Sequence, residues 1–371
     1  MNPPSAAAAP AVPLLVVDRV SRRFVRRRDA IERFVARVGG AFGAVAANET
    51  VHAVDRVSLA VRSGEVLGLV GESGCGKSTL GRLICGLYPP SDGEIRFDGK
   101  PVRIEPGRRP PIQMIFQDPF ASLNPRMRIG DAILQAPLAH GMIQAADARQ
   151  RVGTLLERVG LDASYARRYP HQFSGGQRAR IGIARALAVE PRLLVCDEAV
   201  AALDVSVQAQ ILNSLMALRA ELGLTMVFIS HDLGVVRHVS DRIAVMYLGR
   251  IVESGPVADV HDAPNHPYTQ ALLAEVPRLD RRGRHYAPIA GEIPSPLAPP
   301  PGCHFHPRCP HAMPRCRTEV PALREIAPQR MSACHLNDVA RASPDAPDAP
   351  STAPAPRSAL TPTTSPPPSP P

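Results

Sequence analysis

An α/β fold built around a nucleotide-binding loop is predicted, and three observations predict it. From residue 14 to about 260, short apolar strand-like runs alternate with helix-like segments. A glycine-rich loop, Gly71-Glu72-Ser73-Gly74-Cys75-Gly76-Lys77-Ser78-Thr79, sits between one such run and a helical pattern. Two tight-turn signals, Asp98-Gly99 and Leu248-Gly249, each join a pair of strand-like runs.

The elements follow in order. Val66–Val70 is an apolar strand entering the loop. Thr79 onward (Leu80, Leu83, Ile84, Leu87) predicts a helix ending before Pro89-Pro90. Glu94–Phe97 and the segment around Val102–Ile104 flank the first turn; Ile243–Tyr247 and Arg250–Glu253 flank the second. Leu193–Cys196 and Met226–Ile229 are buried-type strands. From Asp131 to Arg168 helical periodicity takes over (Val152, Leu155, Leu156, Val159), which predicts a helical subdomain over about 118–185 inserted into the sheet domain. Arg22 to Val45 carries Arg26-Arg27-Arg28 beside Ile31, Phe34, Val35 and Val38. It reads as a solvated helical insertion between two strands, with a membrane or partner surface as the alternative.

Composition narrows the function. The 371 residues are 44% hydrophobic, enough for a real core. Net charge is +9, yet only Lys77 and Lys100 among the 43 basic residues are lysine. That arginine bias, with abundant alanine and proline, reflects genome composition, so no nucleic-acid partner is expected. No run reaches the roughly 18 apolar residues that a membrane span needs, and Met1 to Pro13 lacks a signal peptide's basic start. The chain is therefore expected to be soluble, with any pore formed by other chains. Seven cysteines without an export signal argue against a disulfide framework. Residues 1–13 and 337–371 are low in complexity and expected to be disordered. Residues 261–336 form a Cys-rich extension.

The loop has the chemistry of a phosphate cradle. Its glycines let backbone N–H groups turn towards phosphate oxygens at a helix N-terminus. Lys77 suits the β- and γ-phosphates, and the Ser78 hydroxyl suits magnesium. Leu193–Cys196 then delivers Asp197, a magnesium ligand, and Glu198, a general base, to a strand end. Gln117 and His231 each follow another strand.

The order of these motifs, with Phe173-Ser174-Gly175-Gly176-Gln177 and Ala201-Ala202-Leu203-Asp204 between them, resembles the ABC ATPase family over about residues 14–260. The resemblance implies a P-loop ATPase domain with an antiparallel β-subdomain and an inserted helical subdomain, using ATP and Mg2+. It implies that Gln117 contacts magnesium or water and senses the membrane partner, and that His231 contacts the γ-phosphate. Ser174, Gly175, Gly176, Gln177 and Asp204 would bind nucleotide held by another copy of the domain, and Phe24 would stack on adenine. Ala199 and Ala201 depart from the family's usual proline and serine, but neither supplies a ligand.

Gln117-Asp118-Pro119-Phe120-Ala121-Ser122-Leu123-Asn124-Pro125-Arg126, Tyr169-Pro170-His171-Gln172 and His266-Pro267-Tyr268-Thr269-Gln270 narrow the resemblance. They are similar to ATPase subunits of bacterial oligopeptide and dipeptide importers, and to the second of their two non-identical ATPases. This implies a sister ATPase, two membrane permeases, a peptide-binding protein and a peripheral place on the cytoplasmic face of the inner membrane. Nickel or another small solute is the alternative cargo; a soluble, non-transport ATPase is a more distant one. Cys303-x5-Cys309-x6-Cys316-x17-Cys334, interleaved with histidines, is expected to gain order from a metal. Four thiolates suit a 4Fe-4S cluster or zinc, and the lack of paired C-x2-C spacing favours the cluster. Uncoordinated thiols remain the third possibility.

Overall fold

The computed structural model describes residues 12–26, 49–103, 111–118, 122–144, 146–201, 203–275, 289 and 291–339. Strands β1 (Leu15–Arg26) and β2 (Glu49–Val61) pair antiparallel, and β3 (Val66–Val70) leads into the glycine-rich loop and helix α1 (Lys77–Ile84). Next come β4 (Asp92–Phe97), β5 (Lys100–Pro101) and β6 (Ile112–Ile115). Three helices follow: α2 (Ile129–Ala139), α3 (Ala148–Arg158) and α4 (Gly175–Leu187). The chain continues through β7 (Leu193–Asp197), α5 (Val205–Leu222), β8 (Thr225–Ile229), α6 (Leu233–Val239), β9 (Arg242–Tyr247) and β10 (Arg250–Pro256). It then forms α7 (Val257–Asp262), α8 (Pro267–Ala274), β11 (Arg324–Ala327) and β12 (Arg330–Ser332). Residues from Leu336 belong to a separate unit whose described part includes a short helix, α9 (Leu336–Val339).

Two sheets result. An antiparallel sheet runs β2-β1-β4-β5, and an eight-stranded sheet runs β11-β12-β10-β9-β3-β8-β7-β6. In the larger sheet β9, β3, β8, β7 and β6 are parallel. Parallel strands are covered on both faces and read as unbroken apolar runs. Alternate residues go to opposite cores: Val66, Leu194, Cys196, Met226 and Phe228 share one with α2–α6, whereas Leu67, Leu193, Val195, Val227 and Ile229 share the other with α1 and the antiparallel sheet.

Both expected turns form, with positive φ at Asp98 and Gly99 and at Leu248 and Gly249, but the strand after the first is β5 (Lys100–Pro101), ahead of the expected Val102–Ile104. Ile104 lies outside the described residues. The helix after the loop ends sooner than expected. It stops at Ile84 because Gly86 takes φ +73° and leaves the helical path, so Leu87 is exposed. Arg22–Arg26 belong to β1; the rest of the basic stretch, from 27 to 45, lies outside the described residues, as do the low-complexity segments 1–11 and 340–371. The expected helical region contains α2, α3 and most of α4.

The Cys-rich segment is ordered by packing, not in isolation. β12 pairs with β10 (Glu253↔Ser332, Ser254↔Met331), so its hairpin extends the main sheet. Phe305 is buried against Tyr247, Tyr268 and His266. Among the described residues no helix is long and apolar enough to cross a membrane.

Candidate nucleotide site

Open α/β sheets bind ligands beyond the carboxyl ends of their parallel strands. Here β3 delivers the loop, β7 delivers Asp197 and Glu198, β8 delivers Ser230 and His231, and β6 delivers Gln117. Gly76 N-caps α1 at φ +107°, and a Cβ there would lie 2.1 Å from the Ala53 carbonyl oxygen. Only glycine fits. No side chain caps α1 and no acid lies in its first turn, so its terminal N–H groups suit an anion.

Lys77 is buried, and its Nζ donates to the carbonyls of Gly71 (2.7 Å) and Glu72 (3.0 Å). Ser73 and Gly74 form the outer bend of the loop, and Thr79 lies in the first turn of α1. Cys75 is a buried filler whose thiol is pushed up by burial. The Ser78 hydroxyl donates to Asp197 Oδ1 at 2.8 Å. Asp197 is 2% exposed, and burial pushes its carboxyl up while Ser78, Arg82 and Lys77 oppose the shift. A hydroxyl beside a carboxylate oxygen is a hard-donor pair, and it fits magnesium.

Glu198 is the hub. The Gln117 amide donates from Nε2 to Glu198 Oε2 at 2.8 Å, and His231 Nδ1 lies 3.4 Å from Oε1. The Glu198 backbone takes φ +46°, a left-handed conformation costing a non-glycine residue about 1–2 kcal/mol. Its N–H donates to the Ile229 carbonyl at 3.0 Å, which holds the strained turn at the strand end. His231 remains exposed, while the next residue, Asp232, caps α6 through Gly234 and Val235.

Ser174 and Gln177 form a capping box on α4: Gln177 N–H donates to Ser174 Oγ (3.4 Å), and Ser174 N–H to Gln177 Oε1 (3.1 Å). The two glycines permit close packing. A Cβ on Gly176 would stand 2.5 Å from Val207 Cγ1, and one on Gly175 would stand 3.3 Å from Leu203 Cδ2. Asp204 is the exposed N-cap residue of α5. These residues form a second cluster, held together by α4 and α5. Phe24 is half-buried, edge-on to Tyr88 at 5.5 Å, with the Arg22 guanidinium 4.7 Å from its ring centre.

The four C-terminal cysteines do not form the expected metal centre. Cys303, Cys309 and Cys316 lie within electrostatic reach of one another, and burial pushes the Cys303 and Cys309 thiols up. Among the described residues no group of three or more His, Cys, Asp or Glu is placed to hold a metal ion. Cys303, Cys309, Cys316 and Cys334 are thus not gathered into the ligand set for a 4Fe-4S cluster or zinc that their spacing suggests. Nearby histidines are engaged by backbone: His304 with Leu248, His306 with Cys303 and His335 with Glu319.

Two residues at the loop escape sequence reasoning. The Tyr268 hydroxyl accepts from Glu72 N–H at 2.9 Å, and Arg308 pairs with the Glu72 carboxylate. The signal in the chain is Glu72 itself: a carboxylate in a phosphate loop calls for a countercharge.

Comparisons with known proteins place the chain in a family. The ABC transporter family model matches residues 54–201, and the oligopeptide/dipeptide transporter C-terminal region matches residues 252–316. The chain is 51% identical over 295 residues to the oligopeptide transport ATP-binding protein AppF of Bacillus subtilis, covering 77% of this chain and 90% of that protein. It is 51% identical over 285 residues to OppF of Salmonella typhimurium, an oligopeptide transport ATP-binding protein, covering 74% and 85%. Among solved structures it is similar to the dimeric ATP-binding cassette MJ0796 bound to ADP and Pi (TM-score 0.54, 26% identity, 66% of this chain and 98% of that one). It is also similar to cbiO1 of Clostridium perfringens, part of the ABC transporter complex cbiONQ (TM-score 0.54, 27% identity, 68% and 91%). Fold and site together define an ABC ATPase. Within that class the chain belongs to the family of ABC transporter ATP-binding proteins that carry the oligopeptide/dipeptide transporter C-terminal region.

Proposed function

We propose that this chain is the ATP-hydrolysing subunit that powers import of di- and oligopeptides through a membrane ABC transporter. The observation that carries the enzymatic half is the convergence of Gln117 and His231 on Glu198, beside the Ser78–Asp197 pair. The cargo rests on the relatives, which are named as oligopeptide transport proteins, and on the matching C-terminal region.

In this scheme Lys77 exchanges its two loop carbonyls for the β- and γ-phosphates, and the loop N–H groups receive the remaining oxygens. Ser78 and Asp197 would hold Mg2+, which supplies charge neutralisation for the phosphates when bound. Glu198 takes the proton of the attacking water; Gln117 and His231 fix its two oxygens, and His231 also reaches the γ-phosphate. Phe24 offers adenine the face opposite Arg22. No step runs through Cys303, Cys309, Cys316 or Cys334.

ATP held here is closed over by a sister ATPase in a heterodimer. Ser174, Gly175, Gly176, Gln177 and Asp204 of this chain serve the sister's nucleotide in return. The dimeric form of the similar MJ0796 cassette supports this pairing. Closure is a rigid-body motion that two permeases convert to alternating access, at the cytoplasmic face of the inner membrane. A peptide-binding protein supplies the load.

Ser174→Arg should therefore impair the composite site whose catalytic glutamate lies on the sister chain, while ATP binding at Lys77 persists. The assay is ATP turnover in assemblies in which either glutamate alone has been changed to Gln. Loss confined to this chain's own site would refute the exchange. Co-purification with permeases tests the transport role.

A further inference from the structure

The phosphate loop is tied to the C-terminal segment at several points. Glu72, its second residue, has each of its polar groups engaged. Its N–H donates to the Tyr268 hydroxyl, its carbonyl accepts from Lys77, and its carboxylate meets Arg308 in a two-pronged pair: NH1 to Oε2 at 2.8 Å and NH2 to Oε1 at 2.9 Å. The Arg308 side chain is 4% exposed and also reaches the Tyr247 hydroxyl at 3.4 Å. Phe305, three residues before it, is edge-on to Tyr247 at 5.3 Å. A second tie runs through His304, whose Nδ1 lies 3.1 Å from the Leu248 carbonyl, and the adjoining Gly249 N–H, which donates to Cys75 in the loop at 2.9 Å.

A carboxylate within a phosphate cradle repels the polyphosphate it must receive. Arg308 removes that charge with a bidentate fork, the geometry in which guanidinium is strongest and most directional. Its Glu72 partner keeps it firmly protonated.

We propose that Arg308 is a positioning residue for ATP binding, which neutralises Glu72 and holds its carboxylate away from the incoming polyphosphate. This deepens the reading of Gly71–Thr79 as the phosphate site and rests on it. The C-terminal segment then forms part of the ATP site's supporting structure, although its pairing residue lies 236 positions from Glu72.

The test is a charge-coupling cycle on the full-length chain, read as equilibrium binding of methylanthraniloyl-ATP with Mg2+ and as the split between KM and kcat. Arg308→Met should weaken binding about tenfold and raise KM, with kcat at saturation changed much less. In a Glu72→Gln background, where no charge needs neutralising, the same substitution should cost about threefold or less. Arg308→Lys, which keeps charge without the fork, should fall between, and it serves if Arg308→Met does not fold. Equal weakening in both backgrounds, or unchanged binding in Arg308→Met, overturns the proposal. Lys77→Ala is the control. If it loses binding while Arg308→Met does not, only the role of Arg308 falls; if Lys77→Ala binds normally, the phosphate-site reading falls with it.

Discussion

At the scale of single residues, the site is a set of groups whose partners define their tasks. Glu198 accepts from Gln117 and lies beside His231, so its carboxylate is oriented before any substrate arrives. Glu198→Gln keeps the shape and removes the proposed base. It should lower hydrolysis at this site at least about a hundredfold while ATP still binds, as single-turnover assays will read. Unchanged turnover would take Glu198 out of that role. Gly76→Ala tests the loop itself. The added Cβ meets the Ala53 carbonyl at 2.1 Å from a φ of +107°, so nucleotide binding should be lost. Binding within about twofold of the unaltered chain would contradict the geometry. That Lys77, Ser78, Asp197, Glu198, Gln117 and His231 come together at the strand ends was legible because fixed spacing and strand-end placement mark them. Arg308 was not, because an ion pair between distant segments leaves no local pattern.

At the scale of elements, apolar runs named β3, β7 and β8 correctly, since parallel strands bury both faces. The end of α1 was misjudged because the apolar pattern continues to Leu87, whereas Gly86 has already turned the backbone. The pairing of β12 with β10 could not be read at all. Its anchor is Glu253, 0% exposed, which accepts from the backbone N–H groups of Asn265 and His266 at 2.9 Å and from Arg330 at 3.0 Å. Glu253→Ala leaves those donors without their acceptor and should destabilise the chain by about 3 kcal/mol in urea unfolding. A loss below about 0.5 kcal/mol would mean that this carboxylate does not hold the hairpin to the sheet.

At the scale of the whole molecule, the C-terminal segment is joined to the ATPase sheet through buried histidines that titrate late. Burial lowers His266 to about 4, and burial followed by the nearby Arg250 lowers His304 to about 4, against about 6.5 for an exposed imidazole. The folded state therefore refuses protons that the unfolded chain accepts. Stability is unaffected above about pH 6.5 and falls as pH drops towards 4, by about 2 kcal/mol at pH 5 for His266. Thermal unfolding at pH 7 and pH 5 should show the drop, and His266→Gln should lessen it; an equal drop in both chains would contradict the assignment. By itself the amino-acid sequence determined the ATPase class, because phosphate, magnesium and water chemistry demand particular residues at short fixed spacings along one chain. Tertiary structure alone decided that the Cys-rich segment completes the sheet and clamps the loop. Those outcomes depend on burial and on charge pairing between remote segments, which spacing along a chain does not encode.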